Sequence, residues 1–398
     1  MIAQRLNKIK PSPTLAVTAK AMELKARGFD IIGLGAGEPD YDTPQNIKDA
    51  ACLAIKNGET KYTQVDGTPA LKKAIAAKFA RENGLNYDLN QITVGAGGKH
   101  TLFNAIYATV DEGDEVIIPA PYWVSYVDIV AMADGVPVIV NTTAGNGFKL
   151  QPSELEAAIT NRTKWLILNS PSNPTGSTYG HDELRKLADV LLRHPHVMVL
   201  TDDIYEHVLY DGFKFYNILQ VEPRLYDRTF VLNGVSKAYS MTGWRIGYGA
   251  GPQEIIKAIS IIQSQTTSNP SSVSQAAAVE ALNGTQEFIA PNNLAFKKRR
   301  DLVVDSLNQV PGIKCLRPEG AFYVFPSCHG LIGKTTPKRD IITNCTDFAG
   351  YLLEEAGVAV VPGIAFGAEN YFRISYATSE QNLITACQRI TEACGLLR

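Results

Sequence analysis

The segment VSKAYSMTGWRIGYGAG, Val235 to Gly251, sets one lysine and one arginine eight residues apart among apolar residues and four glycines, with no acidic residue. A solvated helix face would carry acids beside such cations, so these two need an outside partner. Lys237 is the candidate nucleophile. An amine attacks a carbonyl only when neutral, and desolvation plus a nearby cation such as Arg245 lowers a lysine pKa from about 10.4. Other reactive residue types follow short Val/Ile-rich runs upstream. Gly97 and Gly98, with Lys99 beside them in AGGKHTLFN, form a glycine turn that opens a helix and could cradle a phosphate, or is simply a tight turn. Trp123 in APYWVSY offers a flat apolar surface or a core side chain. Asn173 in SPSNPTG is a rigidly presented amide or a turn asparagine, and Asp202, opening DDIYEH, is a functional carboxylate or a helix cap. Tyr205 follows three residues on, and Ser236 precedes the lysine. Together they describe one ligand, with a phosphate, a flat ring bearing a basic nitrogen, a phenolic oxygen and a carbonyl for Lys237. Pyridoxal phosphate is that ligand. Asp202 would keep its ring nitrogen protonated, so that the ring absorbs the electron pair left when a substrate loses its α-proton. Asn173 and Tyr205 would hydrogen-bond the phenolic oxygen, and Arg245 with the Gly97–Gly98 turn would hold the phosphate.

Ligands in an open parallel sheet sit beyond the carboxyl ends of the strands, so the same residues predict the elements that must hold them. The runs QITVG, DEVIIP, VPVIV, KWLILN, VMVLTD, TFVLN and RIGYGAG alternate with helical patterns between about residues 90 and 280. That predicts an α/β domain with a mostly parallel seven-stranded sheet covered on both faces. From Asp182 to Leu192, DELRKLADVLL puts Leu184, Leu187, Ala188 and Leu191 on one helix face. Past about residue 285 a charged helix, FKKRRDLVVDSLNQV, leads into short strands in GAFYVFP, VAVVPG and FRISYAT and a last helix, which predicts a smaller α+β domain. The N-terminal part holds one helical pattern, Thr14 to Arg27, and the turn-rich GLGAGEPDYDTP. The expected division is an N-terminal segment of the small domain (1–45), a large cofactor-binding domain (46–285) and a small C-terminal domain (286–398).

A chain of 398 residues can form two or three domains, and 45% apolar with 20% charged residues is a globular balance. With 38 Lys and Arg against 40 Asp and Glu, no polyanion footprint is visible. Small molecules are therefore the expected partners, rather than nucleic acid or membrane. The six cysteines form no C-x-x-C pair and read as reduced, and the six histidines form no H-E-x-x-H, so no metal site is expected. MIAQRLNKIKPSP has no apolar stretch or cleavage pattern of a signal peptide, and no apolar run approaches the roughly 18 residues of a membrane span. The expected location is cytoplasmic.

The motifs AGEPDYDTP, PYWVSY, SPSNPTG, DDIYEH and SKAYSMTGWRIGY, in this order and spacing, resemble those of the class I pyridoxal-phosphate-dependent aminotransferases. The likeness extends to the C-terminal FRISYATSE and is greatest to bacterial aspartate aminotransferases that also use prephenate. It implies the pyridoxal-phosphate-dependent transferase fold (fold type I), Lys237 as the Schiff-base lysine, and Gly37, Trp123, Asn173 and Arg373 as substrate contacts. Arg373 agrees with the chemistry, since a planar guanidinium is a two-pronged clamp for an α-carboxylate. The resemblance further implies a homodimer with shared active sites, in which Tyr62 of TKYTQVDGTP reaches the neighbour's phosphate. The expected reaction transfers the amino group of L-aspartate to 2-oxoglutarate, giving oxaloacetate and L-glutamate, and extends to amination of prephenate to arogenate. An aromatic or alanine aminotransferase, or a lyase, on the same fold is the alternative, because fold does not fix reaction. A non-catalytic effector-binding module of a regulator is a further one, although no DNA-binding appendage is visible. QTTSNPSSVSQ departs from the family pattern: it lacks the arginine that some aspartate aminotransferases place across the dimer for the distal carboxylate. A buried unpaired carboxylate is costly, so another cation must serve. Lys10, in KIKPSPTLAV, is the candidate.

Overall fold

The computed structural model describes residues 2–9, 11 and 13–398. After a two-residue strand, β1 (Ile32–Gly33), come β2 (Ile92–Gly95), β3 (Glu115–Ala120), β4 (Val136–Asn141), β5 (Thr163–Asn169), β6 (Met198–Asp202), β7 (Thr229–Gly234) and β8 (Gly247–Ala250). These last seven make one sheet in the order β2-β8-β7-β6-β5-β3-β4. Each is one of the seven runs marked in the sequence. Only β8 runs antiparallel to its neighbours. The central strands are apolar without a break because both faces are covered. Ile117, Leu166, Leu168, Val199 and Val231 enter the core on one side, while Val116, Trp165, Ile167, Leu200 and Phe230 enter the core on the other. The helix His181–Arg193 buries Leu184, Leu187, Ala188 and Leu191 against the first face, and Gln253–Thr266 buries Ile255, Ile256 and Ile259 against the second. Each such side chain contributes about 1.5–3 kcal/mol of transfer free energy, so the sheet is a stiff platform for the residues at its carboxyl edge.

That edge is where the marked residues gather. The β5–β6 register sets Asn169 against Asp202, and the β6–β7 register sets Asp202 against Leu232. Glycines in β8 have a packing reason here: a Cβ on Gly247 would lie 2.1 Å from the backbone nitrogen of Gly98. Only a bare backbone lets the helix Gly98–Tyr107 begin against that strand.

The rest of the chain carries β9 (Tyr323–Val324), β10 (Val358–Ala359), β11 (Val361–Pro362) and β12 (Phe372–Ser375). β11, β12 and β9 form an antiparallel sheet, and β1 pairs with β10 in parallel. The GAFYVFP run pairs as a strand only at Tyr323–Val324, because Gly320 and Ala321 donate instead to Gly176 O and Val208 O. Helices Ile289–Leu307, Cys345–Ala356 and Glu380–Gly395 close this core with Val303, Leu307, Phe348, Leu352, Leu383 and Ile390. Tyr205, Val208 and Tyr210 join it from the loop after β6, so packing is continuous beneath the site. All six cysteines are unpaired. Among the described residues no helix is long and apolar enough to cross a membrane.

Candidate active site

A cavity of about 440 Å³ opens at the carboxyl edge of the sheet. Gly37, Gly98, Lys99, Trp123, Asn173, Asp202, Tyr205, Ser236, Lys237, Arg245 and Arg373, all marked in the sequence, line it. Gly97 stands one residue behind the wall. Tyr62 is elsewhere on the surface, 90% exposed, and Lys10 lies outside the described residues.

Lys237 follows β7, and its Nζ donates to Gly37 O at 2.6 Å. Its pKa is lowered to about 8, first by burial and then by the Arg373 cation; Glu38 opposes, and Arg245 adds less. The sequence pointed to Arg245 as the depressing neighbour. Arg373, 136 positions from Lys237 along the chain, is the stronger one because the small sheet delivers it into the same cavity.

Asp202 ends β6 and is buried. Its Oδ2 accepts the Tyr126 hydroxyl at 2.6 Å and its Oδ1 the Ile204 N–H at 3.3 Å. Burial pushes its pKa up to about 6 against these two donors and Lys237. No helix starts after it, so the capping alternative reduces to the single Ile204 bond. Asp203 has different partners: Thr201 Oγ1 donates to it at 2.6 Å, Asn217 donates as well, and burial pushes it to about 8. Of the adjacent pair, only Asp202 lines the cavity.

Arg373 lies on β12, 2% exposed. Its Nη1 donates to Asn173 Oδ1 at 2.8 Å and its Nη2 to Gly35 O at 2.7 Å. The guanidinium lies over two rings, 4.5 Å from the Tyr323 centroid and 4.9 Å from that of Phe366. Its Nε has no partner among the described residues. A buried, unpaired donor on a fixed guanidinium calls for an acceptor from outside the chain. Asn173 spends its oxygen on Arg373, which leaves its NH2 group to donate. Asn169 ties these pieces together, accepting the Asn173 N–H at 2.8 Å and donating to Asp202 O at 2.9 Å.

At the other end, the helix Gly98–Tyr107 starts from Gly97, whose φ of 93° suits glycine alone. A Cβ on Gly97 would lie 2.2 Å from Arg245 Nη2. The first N–H groups of a helix have no partner within it, and here they stand beside an arginine. Lys99 Nζ lies 5.1 Å from the Trp123 ring centroid, and burial, with Arg245, lowers its pKa. The cavity thus has an anion cradle at one end, a clamp with an unpaired donor at the other, and an amine and a carboxylate between. These features fit a phosphate, a ring and an amino acid's carboxylate, the parts of pyridoxal phosphate with its substrate.

Tyr126, Asn169, Tyr323 and Glu38 are among the lining residues that were not marked in the sequence. Tyr126 is the second residue of the helix Ser125–Met132, three places after Trp123, and the two rings meet edge-on at 5.5 Å. Asn169 ends a strand and could have been found by that position. Tyr323, whose hydroxyl is 2.7 Å from that of Tyr205, and Glu38, which accepts from Thr242 Oγ1 at 2.9 Å, carry no local signal. Glu82, Glu206 and His207 are the one group among the described residues close enough to share an ion. The Lys78 ammonium bonds Glu206 and lies 3.6 Å from Glu82, so that cluster is a compensated ion-pair network.

The chain matches the family model described as aminotransferase class I and II over residues 30–390. It is 60% identical over 394 residues to the aspartate/prephenate aminotransferase of Cereibacter sphaeroides, covering 99% of this chain and 98% of that one. The crystal structure of the aspartate aminotransferase from Rhizobium meliloti superposes with a TM-score of 0.97 at 56% identity, covering all of both chains. The Thermus thermophilus aspartate aminotransferase solved with maleate gives a TM-score of 0.92 at 43% identity over 99% of each chain.

Proposed function

The chain belongs to the class I and II aminotransferases, and from that premise we propose that its cavity uses pyridoxal phosphate to transfer the amino group of L-aspartate to 2-oxoglutarate, giving oxaloacetate and L-glutamate. The observation that carries this reading is a lysine of lowered pKa standing between a buried aspartate and an arginine with an unpaired Nε. When bound, the cofactor supplies an aldehyde for that lysine and a protonated ring that takes up the electron pair released at the substrate's Cα.

The chain's own residues do the rest. Arg245 and the N–H groups opening at Gly98 hold the phosphate, with Ser236 beside them, and Trp123 covers the ring. Asp202 keeps a proton on the ring nitrogen, while Tyr205 and the Asn173 NH2 donate to the phenolic oxygen. Arg373 grips the α-carboxylate and turns the Cα hydrogen toward Lys237. The neutral Lys237 amine would take that proton from Cα and deliver it to the cofactor carbon that bore the aldehyde, which leaves the amino group with the cofactor.

Of the four cations on the cavity wall, Arg245, Arg373 and Lys237 are assigned, which leaves Lys99 for a distal carboxylate. The maleate of the Thermus thermophilus structure, a dicarboxylate, supports such a site. Lys99→Ala and Lys10→Ala decide between the two lysines. The one that reads the distal carboxylate loses roughly ten- to hundredfold in kcat/KM for aspartate, and little for alanine. The name of the Cereibacter sphaeroides relative supports prephenate as a further amino acceptor.

A homodimer with shared sites belongs to the same reading. Tyr62 is fully out in solvent, yet its loop is anchored: Gln275 accepts the Thr68 N–H at 2.8 Å and donates to Thr63 Oγ1 at 3.1 Å. Six unpaired cysteines support a reducing, cytoplasmic setting. The division at residues 45 and 285 is supported by the core of β9–β12, which takes in Ile32 and Leu34 of the N-terminal segment and, from residues 46–285, chiefly Tyr205, Val208 and Tyr210 of the loop after β6. The test of the whole reading is the visible absorption of the holoenzyme before and after L-aspartate. Conversion of the band with release of oxaloacetate is expected, and an unchanged spectrum refutes it.

A further inference from the structure

We propose that Tyr323 is a positioning residue that acts through Tyr205: its hydroxyl donates to the Tyr205 oxygen and so leaves the Tyr205 proton free for the ligand. This rests on the reading that Tyr205 faces the cofactor's phenolic oxygen. The two hydroxyl oxygens are 2.7 Å apart, and one proton lies between them. If Tyr205 supplied it, Tyr205 could only accept from a ligand.

Three observations choose the direction. First, the Tyr323 hydroxyl is fully buried and is roofed by Gly37, where a Cβ would lie 2.9 Å from its oxygen. Among the described residues Tyr205 is its one hydrogen-bond partner, so a Tyr323 that accepted would leave its own buried proton unpaired. Second, the Arg373 guanidinium lies 4.5 Å from the centre of the Tyr323 ring. A cation on the ring face favours negative charge on the phenol, which makes Tyr323 the better donor. Third, burial raises both phenols and Arg373 opposes the rise in both, but at Tyr323 it is the leading opposing cause, with only Glu38 added to burial, whereas at Tyr205 both Tyr323 and Asp202 add to the rise. The stronger acid donates to the weaker.

A phenol that accepts one hydrogen bond becomes a better donor in the next. Tyr323 thereby strengthens the bond that Tyr205 makes to the phenolic oxygen. It stands on β9, the strand next to the one that carries Arg373, so a single residue of the small sheet touches both the clamp and the cofactor side. Gly37 has a reason to be glycine here, since any side chain would displace this hydroxyl.

The test is the pH midpoint of the holoenzyme's visible absorption band in Tyr205→Phe, Tyr323→Phe and the double variant. A donor to the phenolic oxygen favours its anionic form, so weakening that donor raises the midpoint. Tyr205→Phe should raise it by about one unit or more, and Tyr323→Phe by roughly half a unit to one unit. The double variant should match Tyr205→Phe alone, because Tyr323 acts only through Tyr205. The KM for alanine should not change in Tyr323→Phe, whose ring still covers Arg373. If Tyr205→Phe shifts the midpoint while Tyr323→Phe leaves it unchanged or lowers it, the inference is overturned. An added shift in the double variant overturns it as well. If Tyr205→Phe itself does nothing, the assignment of Tyr205 fails, and this inference with it.

Discussion

If burial and Arg373 ease the Lys237 amine toward its reactive neutral form, the apoenzyme should reveal it without any cofactor. With a pKa of about 8 in place of 10.5, about one molecule in ten carries the neutral amine at pH 7, against about one in three thousand for an ordinary lysine, a ratio of roughly 300. Competitive labelling with trace acetic anhydride from pH 6 to 11, read by peptide mass spectrometry against the exposed lysines of the same digest, measures that fraction directly. The Lys237 profile should turn near pH 8. Arg373→Gln should move it toward the ordinary value, because the second largest cause of the shift has gone. Arg245→Gln should move it the same way by less. The sign follows from charge: each arginine disfavours an ammonium beside it, so each loss makes the proton harder to remove. A profile turning above about pH 10, or a larger effect from Arg245→Gln than from Arg373→Gln, refutes the account of how this lysine is prepared.

Asp202→Asn should fold and keep its cofactor, but single-turnover loss of the Cα proton should slow by at least about a hundredfold, since an amide cannot hold the ring proton; an unchanged rate would reduce Asp202 to its bonds with Tyr126 and Ile204. Arg373→Lys should raise KM roughly ten- to hundredfold for acidic and neutral donors alike, because a point charge replaces a planar clamp on the group that all share. A loss confined to acidic donors would mean that Arg373 reads the side chain. In Gly97→Ala the new methyl collides with Arg245 Nη2 at a φ of 93°, so cofactor Kd in apoenzyme titrations should rise about tenfold or more, and an unaltered Kd would take Arg245 away from the phosphate.

How legible each part was depends on the range of the interactions that define it. Six of the seven strands of the large sheet, all but the half-exposed edge strand β4, were readable because burial on both faces demands unbroken apolar runs, and Trp165, Leu166 and Ile167 show it, alternating between two cores. Lys237, Asp202 and Asn173 were readable because topology places them at strand exits, where a residue's type alone raises the question of chemistry. Tyr126 and Tyr323 were not. Each matters through one hydroxyl, meeting Asp202 across 76 residues and Tyr205 across 118, and a buried tyrosine reads as core until its partner is known. The ranking of Arg373 over Arg245 was hidden for the same reason. Burial and a cation could be expected around Lys237, but which cation stands nearer is decided by how the small sheet meets the large one.

On the proposed reading, with Lys99 at the distal carboxylate, the two ends of the substrate would be met in physically different ways. Arg373 is held by Asn173, by Gly35 O and by two aromatic faces, and it is almost wholly buried. That arrangement costs little further ordering on binding, and it suits the α-amino acid carboxylate, the one group whose position never varies between donors. Lys99 is exposed, its ammonium rests over Trp123, and the indole face keeps it at the cavity without fixing its reach. A flexible ammonium of this kind can follow a distal carboxylate at more than one distance. Rigid recognition of the constant group and adaptable recognition of the variable one would give a site that fixes the Cα hydrogen over Lys237 for every donor. Chain length would then be discriminated only by the cost of moving a lysine. This is also why specificity was the least legible property of the sequence: an arginine clamp must be buried and braced, which leaves a pattern, whereas a lysine that adapts needs only to be near.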